Sequence, residues 1–166
     1  MASTASHAHV PALGGHERDE IGSQLQATLI ELVDLSLVGK QLHWNVVGPL
    51  FRPLHLYLDE LVDSWRALSD TVAERAIALG AAVDGQASAV AAAAEHRSLE
   101  PAAIEDHAAI QELLQRVAET AERTRARAER LGELDIASQD VLIEVLRALE
   151  EQLWMLRSQL APGKGR

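Results

Sequence analysis

Apolar residues recur at three- and four-residue steps through four long stretches of this chain, the pattern of amphipathic helices packed face to face. The first stretch, about residues 18–46, carries an inward series of Ile21, Leu25, Leu29, Leu32, Ser36, Gly39 and His43. The second covers about residues 53–81. Its start follows the turn-like Gly48-Pro49, and Pro53 sits where a first helical turn tolerates proline. Its apolar face is Leu54, Leu58, Leu61, Trp65, Leu68, Val72 and Leu79. Asp84-Gly85 then opens a crossover with room for a short helix over residues 88–95. The third long helix begins near Pro101 and follows Ile104, Ile110, Leu114, Val117 and Leu131. The fourth, after Gly132, follows Leu142, Val145, Leu149, Leu153, Leu156 and Leu160, and Pro162-Gly163 ends it. No stretch alternates as a strand would. The expected fold is therefore all-α, a four-helix bundle over residues 17–161 between a polar tail, 1–16, and a short one, 162–166. The long crossover lets the second and third long helices run parallel, unlike a simple up-and-down bundle.

The second helix carries a further polar stripe. At roughly 100° per residue, Asp59, Arg66 and Asp70 fall within about 60° of His55, and Glu74 at about 100°. His55 and Asp59 are i, i+4 neighbours, as are Asp70 and Glu74, so each pair can hold one side of a cation. Asp59 and Asp70 are about 16 Å apart along the axis, however, whereas a bound metal needs ligands at about 2 Å. One chain cannot close such a site. His55 and Glu74 are equidistant from the point between Ser64 and Trp65, and so are Asp59 and Asp70. Two such helices packed antiparallel about that point set His55 opposite the partner's Glu74 and Asp59 opposite the partner's Asp70, giving two identical sites in a twofold dimer. His43 joins from the first helix.

Two imidazoles and three carboxylates, with no thiolate, suit iron, manganese or zinc. Three carboxylates in a partly dry interface repel one another unless a cation neutralises them. The competing reading is that His55 and Asp59 merely start a helix while Asp70 and Glu74 pair with arginines on a solvated face. The matched spacing of all five residues favours the metal.

Composition narrows the class. The chain has 166 residues, the length of one domain, and 48% apolar content supplies a core. Cysteine is absent, which excludes disulfides and thiolate metal sites. No basic patch leads into an apolar run at the start, and no stretch approaches about 20 uninterrupted apolar residues, so a cytoplasmic location and no membrane association are expected.

The stretch Lys40-Gln41-Leu42-His43-Trp44-Asn45-Val46-Val47-Gly48-Pro49, then Leu54-His55 through Asp59-Glu60, then Ser69-Asp70-Thr71-Val72-Ala73-Glu74-Arg75, closely resembles the Dps family of ferritin-like mini-ferritins. A second match, Asp135 to Glu144 with Leu153-Trp154-Met155-Leu156-Arg157, resembles that family's last helix. The resemblance implies a hollow shell of twelve subunits and an intersubunit ferroxidase site. Residues matching His43, His55 and Asp59 would act there with partner residues matching Asp70 and Glu74. It further implies oxidation of Fe(II) by hydrogen peroxide, or more slowly by dioxygen, and storage of the ferric product as a mineral. The Glu-x-x-His pairs of an intrachain di-iron centre are absent from the sequence.

Smaller expectations follow. Trp44, adjacent to His43, either intercepts stray oxidising equivalents or is buried packing. Trp65, beside the proposed twofold axis, reads as dimer-interface packing, and Trp154 as part of the last helix's core. Arg66 and Arg75 could balance acids beside the site. The resemblance places Asp135 and Asp140 near an iron-inlet pore, with Glu133 close by, where a carboxylate ring would concentrate cations. Against that, Asp135 lies where an N-cap is expected and Asp140 falls in the first turn.

DNA is a partner of many proteins of that family. Here the first sixteen residues contain no Lys or Arg, only His7, His9 and His16, and the formal charge is −10 per chain. Twelve chains would carry about −120, which opposes the clustered phosphate contacts that DNA binding requires. Binding near neutral pH is expected to be weak or absent, with tail histidines admitting some at lower pH. The alternatives are a DNA-compacting protein with a dispensable metal site and a zinc-stabilised scaffold without redox turnover.

Overall fold

The structure is a computed structural model that describes residues 13–93 and 98–160. Helix α1 spans Gly15–Asn45 and leads through a two-residue strand, β1 (Val46–Val47), into α2 (Phe51–Ala78). The crossover holds the short α3 (Ala87–Ala93) and a second two-residue strand, β2 (Ile104–Glu105). Helices α4 (Asp106–Gly132) and α5 (Ile136–Leu160) complete the bundle. No described helix is long and apolar enough to cross a membrane.

Contacts at the helix ends fix the directions. At one end β1 pairs in parallel with β2, and Leu50 N–H, just before α2, donates to Asp106 at the start of α4, so α2 and α4 begin side by side. At the other end Arg75, late in α2, reaches Asp135 and Ser138 at the start of α5, and Arg130, late in α4, reaches Glu20 early in α1. The second and third long helices therefore run parallel, joined by the crossover, as the sequence led us to expect.

Helices α1 and α2 pack against each other over the largest shared surface, followed by α4 against α5. Between them the inward positions Ile21, Leu25, Leu32, Leu54, Leu58, Trp65, Val72, Ile110, Val117, Leu142 and Leu149 are fully buried. The two helices approach closely at Gly39, where a Cβ would lie 2.7 Å from Val62 Cγ2 and 2.8 Å from Trp65 Cζ3. Only glycine lets α1 and α2 meet at that distance.

Several boundaries and burials depart from the sequence reading. Helix α1 begins at Gly15, inside the expected tail, with Gly14 N–H bonded to Glu17 Oε2 at 2.8 Å. His16 thus lies in the helix, whereas His7 and His9 lie outside the described residues. So do the proposed terminator Pro162-Gly163 and the end of the crossover helix, which is described as far as Ala93. The third long helix starts at Asp106 rather than near Pro101, because Ile104 and Glu105 are extended alongside Val46 and Val47. A two-residue strand is too short to carry an alternation signal.

Trp65 is fully enclosed within one protomer, not at an interface. Its indole N–H donates to Gln152 Oε1 at 2.9 Å, and Gln152 Nε2 in turn donates to Ser64 Oγ at 3.2 Å. Trp154 is 62% exposed, not core. It is two residues from the buried Leu156, hence about 160° round the helix from it.

Candidate metal centre

His43 lies in the last turn of α1 and His55 in the second turn of α2, with the loop of residues 46–50 turning the chain between them. Their rings stack with centroids 3.6 Å apart and planes 21° from parallel. His43 Nδ1 lies 2.9 Å from the His55 carbonyl oxygen, and His55 Nδ1 lies 3.0 Å from the His43 carbonyl oxygen. A carbonyl can only accept, so each Nδ1 carries a proton, and in the neutral ring the lone pair is then on Nε2. That is the tautomer that ligation through Nε2 requires. The exchange also serves the backbone. The His43 carbonyl belongs to the last turn of α1, where helix carbonyls lack an intrahelical partner, and the His55 ring supplies one.

Asp59 stands one turn beyond His55, its Oδ1 3.3 Å from His43 Nδ1 and 2.6 Å from Lys40 Nζ. The hydrogen bond from Lys40 holds the Asp59 carboxyl below its ordinary range against an opposing push from desolvation, and His43 and His55 add to the lowering. Lys40 also lies 5.9 Å from the centre of the Trp44 ring. Trp44 itself is 68% exposed in the protomer, so it is not buried packing within one chain.

The structure thus brings together His43, His55 and Asp59. Asp70 and Glu74 are exposed on the same helix, three and four turns further on. Among the described residues, no three His, Asp or Glu side chains of one protomer converge so as to hold a metal ion.

The acids at the start of α5 are arranged differently from one another. Asp135 caps the helix, accepting the Ser138 N–H at 2.9 Å and its hydroxyl at 2.5 Å, and receives Arg75 Nη2 at 2.5 Å. Burial pushes its carboxyl up, but the hydrogen bonds from Ser138 and Arg75 outweigh that and hold it below the usual range. Glu133 is exposed and paired with Arg130, and Asp140 is exposed. Arg75 therefore serves Asp135 and Ser138 rather than the acids of the α2 stripe.

Two contributors escaped the sequence reading. Lys40 is three residues before His43 and on nearly the same helix face, a spacing that could have flagged it. Asp106 gave no such signal, because its partner Leu50 is 56 residues away in the chain.

Residues 22–164 match the ferritin-like domain family. A DNA protection during starvation protein of Mycolicibacterium smegmatis is 33% identical over 158 residues, 94% of this chain and 85% of that protein. This chain belongs to the Dps group of the ferritin-like family. Among solved structures, the tetragonal form of Mycobacterium smegmatis Dps matches this Dps chain with a TM-score of 0.89 at 32% identity, covering 95% of each. Similarity to this Dps protein extends to the fine tangled pili major subunit of Haemophilus ducreyi, 35% identical over 167 residues, 99% of this chain and 87% of that one.

Proposed function

We propose that this protein is an iron-storing ferroxidase that oxidises Fe(II) with hydrogen peroxide, or more slowly with dioxygen, at sites shared between two chains. The observation that carries the reading is the reciprocal His43–His55 exchange beside Asp59, which frees two imidazole nitrogens next to a carboxylate. Neutral nitrogen with carboxylate oxygen suits Fe(II), and zinc or manganese could substitute. Asp70 and Glu74 of the partner subunit would complete the set through antiparallel packing of α2.

In this scheme His43 and His55 supply neutral donors, while Asp59 and the partner's Asp70 and Glu74 offset the charge that grows as Fe(II) becomes Fe(III). Asp59 must first exchange its Lys40 ammonium for the metal. Two Fe(II) ions give one electron each, and hydrogen peroxide takes up both electrons with two protons from solvent and leaves as two water molecules, so no hydroxyl radical is released. The ferric product is stored inside a shell of twelve chains in the cytoplasm, and cells under oxidative stress are protected by the removal of both reagents. Asp140 and Glu133, with Asp135 behind them as cap, would surround the pore that admits Fe(II).

The relatives' name favours a second reading, a DNA-compacting protein with a dispensable metal site. The charge of −10 per chain argues against it near neutral pH. A gel-shift assay at low salt and pH 7.5 is expected to leave DNA unretarded, and clear retardation would favour the second reading.

Shared sites make a specific prediction for mixed shells. Asp59→Ala chains and Glu74→Ala chains are each inactive alone. Co-assembled at random, they regain about a quarter of wild-type peroxide-dependent Fe(II) oxidation, because half the dimers are mixed and each mixed dimer holds one intact site. Analytical ultracentrifugation checks assembly on the same samples. A monomeric wild type, or no recovery in verified mixed shells, would refute the proposal.

A further inference from the structure

Asp106 is the first residue of α4 and is buried, yet both its oxygens are engaged by backbone. Oδ1 accepts the His107 N–H at 2.8 Å, within its own helix, and Oδ2 accepts the Leu50 N–H at 2.6 Å, at the start of α2. One carboxylate therefore serves the N-termini of two helices. Helix α2 depends on it, because its N-cap residue Leu50 makes no side-chain cap and its first turn contains no acid of its own. The loop is shaped around this contact. Gly48 has φ +123°, and a Cβ there would lie 2.5 Å from Asp106 Oδ2. The pairing of Val46 with Ile104 ties the same loop to the residues just before Asp106.

This clasp lies between the two proposed imidazole ligands. Val46 follows His43 by three residues, and its N–H closes α1 on the Leu42 carbonyl. Leu50 precedes His55 by five, and Phe51, the next residue, packs against the His55 ring with centroids 5.1 Å apart. The two histidines stack on each other and exchange bonds of 2.9 and 3.0 Å, each running from one helix to the other. A slide or tilt at the start of α2 disturbs the exchange.

We infer that Asp106 is a positioning residue for the metal centre. By fixing the first turn of α2 to α4, it sets the register in which His43 and His55 exchange hydrogen bonds and present Nε2. The inference rests on the proposed role of the histidine pair, and its test separates the two. Cobalt(II) is the probe, titrated into the assembled protein and read by its visible absorption band, whose position and intensity depend on ligand geometry. The proteins compared are the wild type, His55→Ala, Asp106→Ala and Asp106→Asn, each verified as folded by circular dichroism and as assembled by ultracentrifugation.

Asp106→Ala is expected to weaken cobalt binding by about tenfold and to shift the band, as loss of a supporting contact behind a metal ligand does. Asp106→Asn retains one acceptor oxygen for two amides, so it weakens binding by less but shifts the band in the same direction. A purely structural role would lower thermal stability while leaving the folded protein's cobalt affinity and band unchanged. That result in either folded variant overturns the inference. A wild type whose cobalt spectrum matches that of His55→Ala overturns the histidine site itself, and this inference with it.

Discussion

Substituting alanine for Gly39 places one methyl group where α1 and α2 have no space for it. The new carbon would lie 2.7 Å from Val62 Cγ2 and 2.8 Å from Trp65 Cζ3, whereas carbon atoms settle at about 3.5–4.0 Å. Neither neighbour yields readily. Val62 is β-branched and confined to one main rotamer in a helix, and the Trp65 indole is fully buried with its N–H fixed on Gln152. The helices must therefore part by most of an ångström. Overpacking of this kind destabilises by about 1–3 kcal/mol. The better helix propensity of alanine returns up to about 1 kcal/mol. The net expectation is a loss of about 1–2 kcal/mol, which lowers the guanidinium unfolding midpoint by about 0.3–0.5 M. Because assembly couples stability to concentration, both proteins are compared at one protein concentration, followed by far-ultraviolet circular dichroism. Gly39 is also one turn before His43, so parting the helices lengthens the histidine exchange, and cobalt(II) affinity falls together with stability. An unchanged or raised midpoint would refute the packing argument.

Three further outcomes are expected. Lys40→Met removes the ammonium that occupies Asp59, so cobalt(II) binding measured by titration at neutral pH should tighten; weaker binding would mean that Lys40 supports the site rather than competing for it. Gln152→Leu leaves the buried Trp65 N–H without its acceptor and should cost about 1–3 kcal/mol in the same denaturation assay. The Asp135 carboxyl is held below its ordinary value of 3.8, so its contribution to stability is fully present above that pH and is lost as the pH falls through the lowered value. In thermal melts from about pH 2 to 6, Asp135→Asn should therefore flatten the acid side of the profile, and parallel wild-type and variant curves would contradict the assigned cap and ion pair.

The helices were legible because burial imposes a period on sequence, and Ile21, Leu25, Leu54, Leu58, Leu142 and Leu149 all obey it. His43, His55 and Asp59 were legible for a related reason, their spacing from one another and from the helix ends. What stayed hidden depends on contacts between distant segments. Leu50 reaching Asp106, and Val46 pairing with Ile104, leave no local periodicity to read. Helix angle separates the tryptophans. Trp65 lies on the apolar stripe of α2 and is core, although the midpoint symmetry of the polar stripe falls beside it. Trp154 lies well off the face of the buried leucines of α5 and is exposed. Trp44 lies about 160° round α1 from the buried Leu42 and faces outward in the protomer.

The hydrogen-bond exchange between His43 and His55 ties side chain to backbone in both directions, which decides what a single substitution can remove. Replacing either histidine removes one imidazole, the ring stacked on the other and the donor to the other's carbonyl, while the remaining ring keeps the backbone carbonyl of the replaced residue as its acceptor. Double-mutant measurements should accordingly find a coupling set by the stacked rings alone, because each hydrogen bond depends on only one of the two side chains.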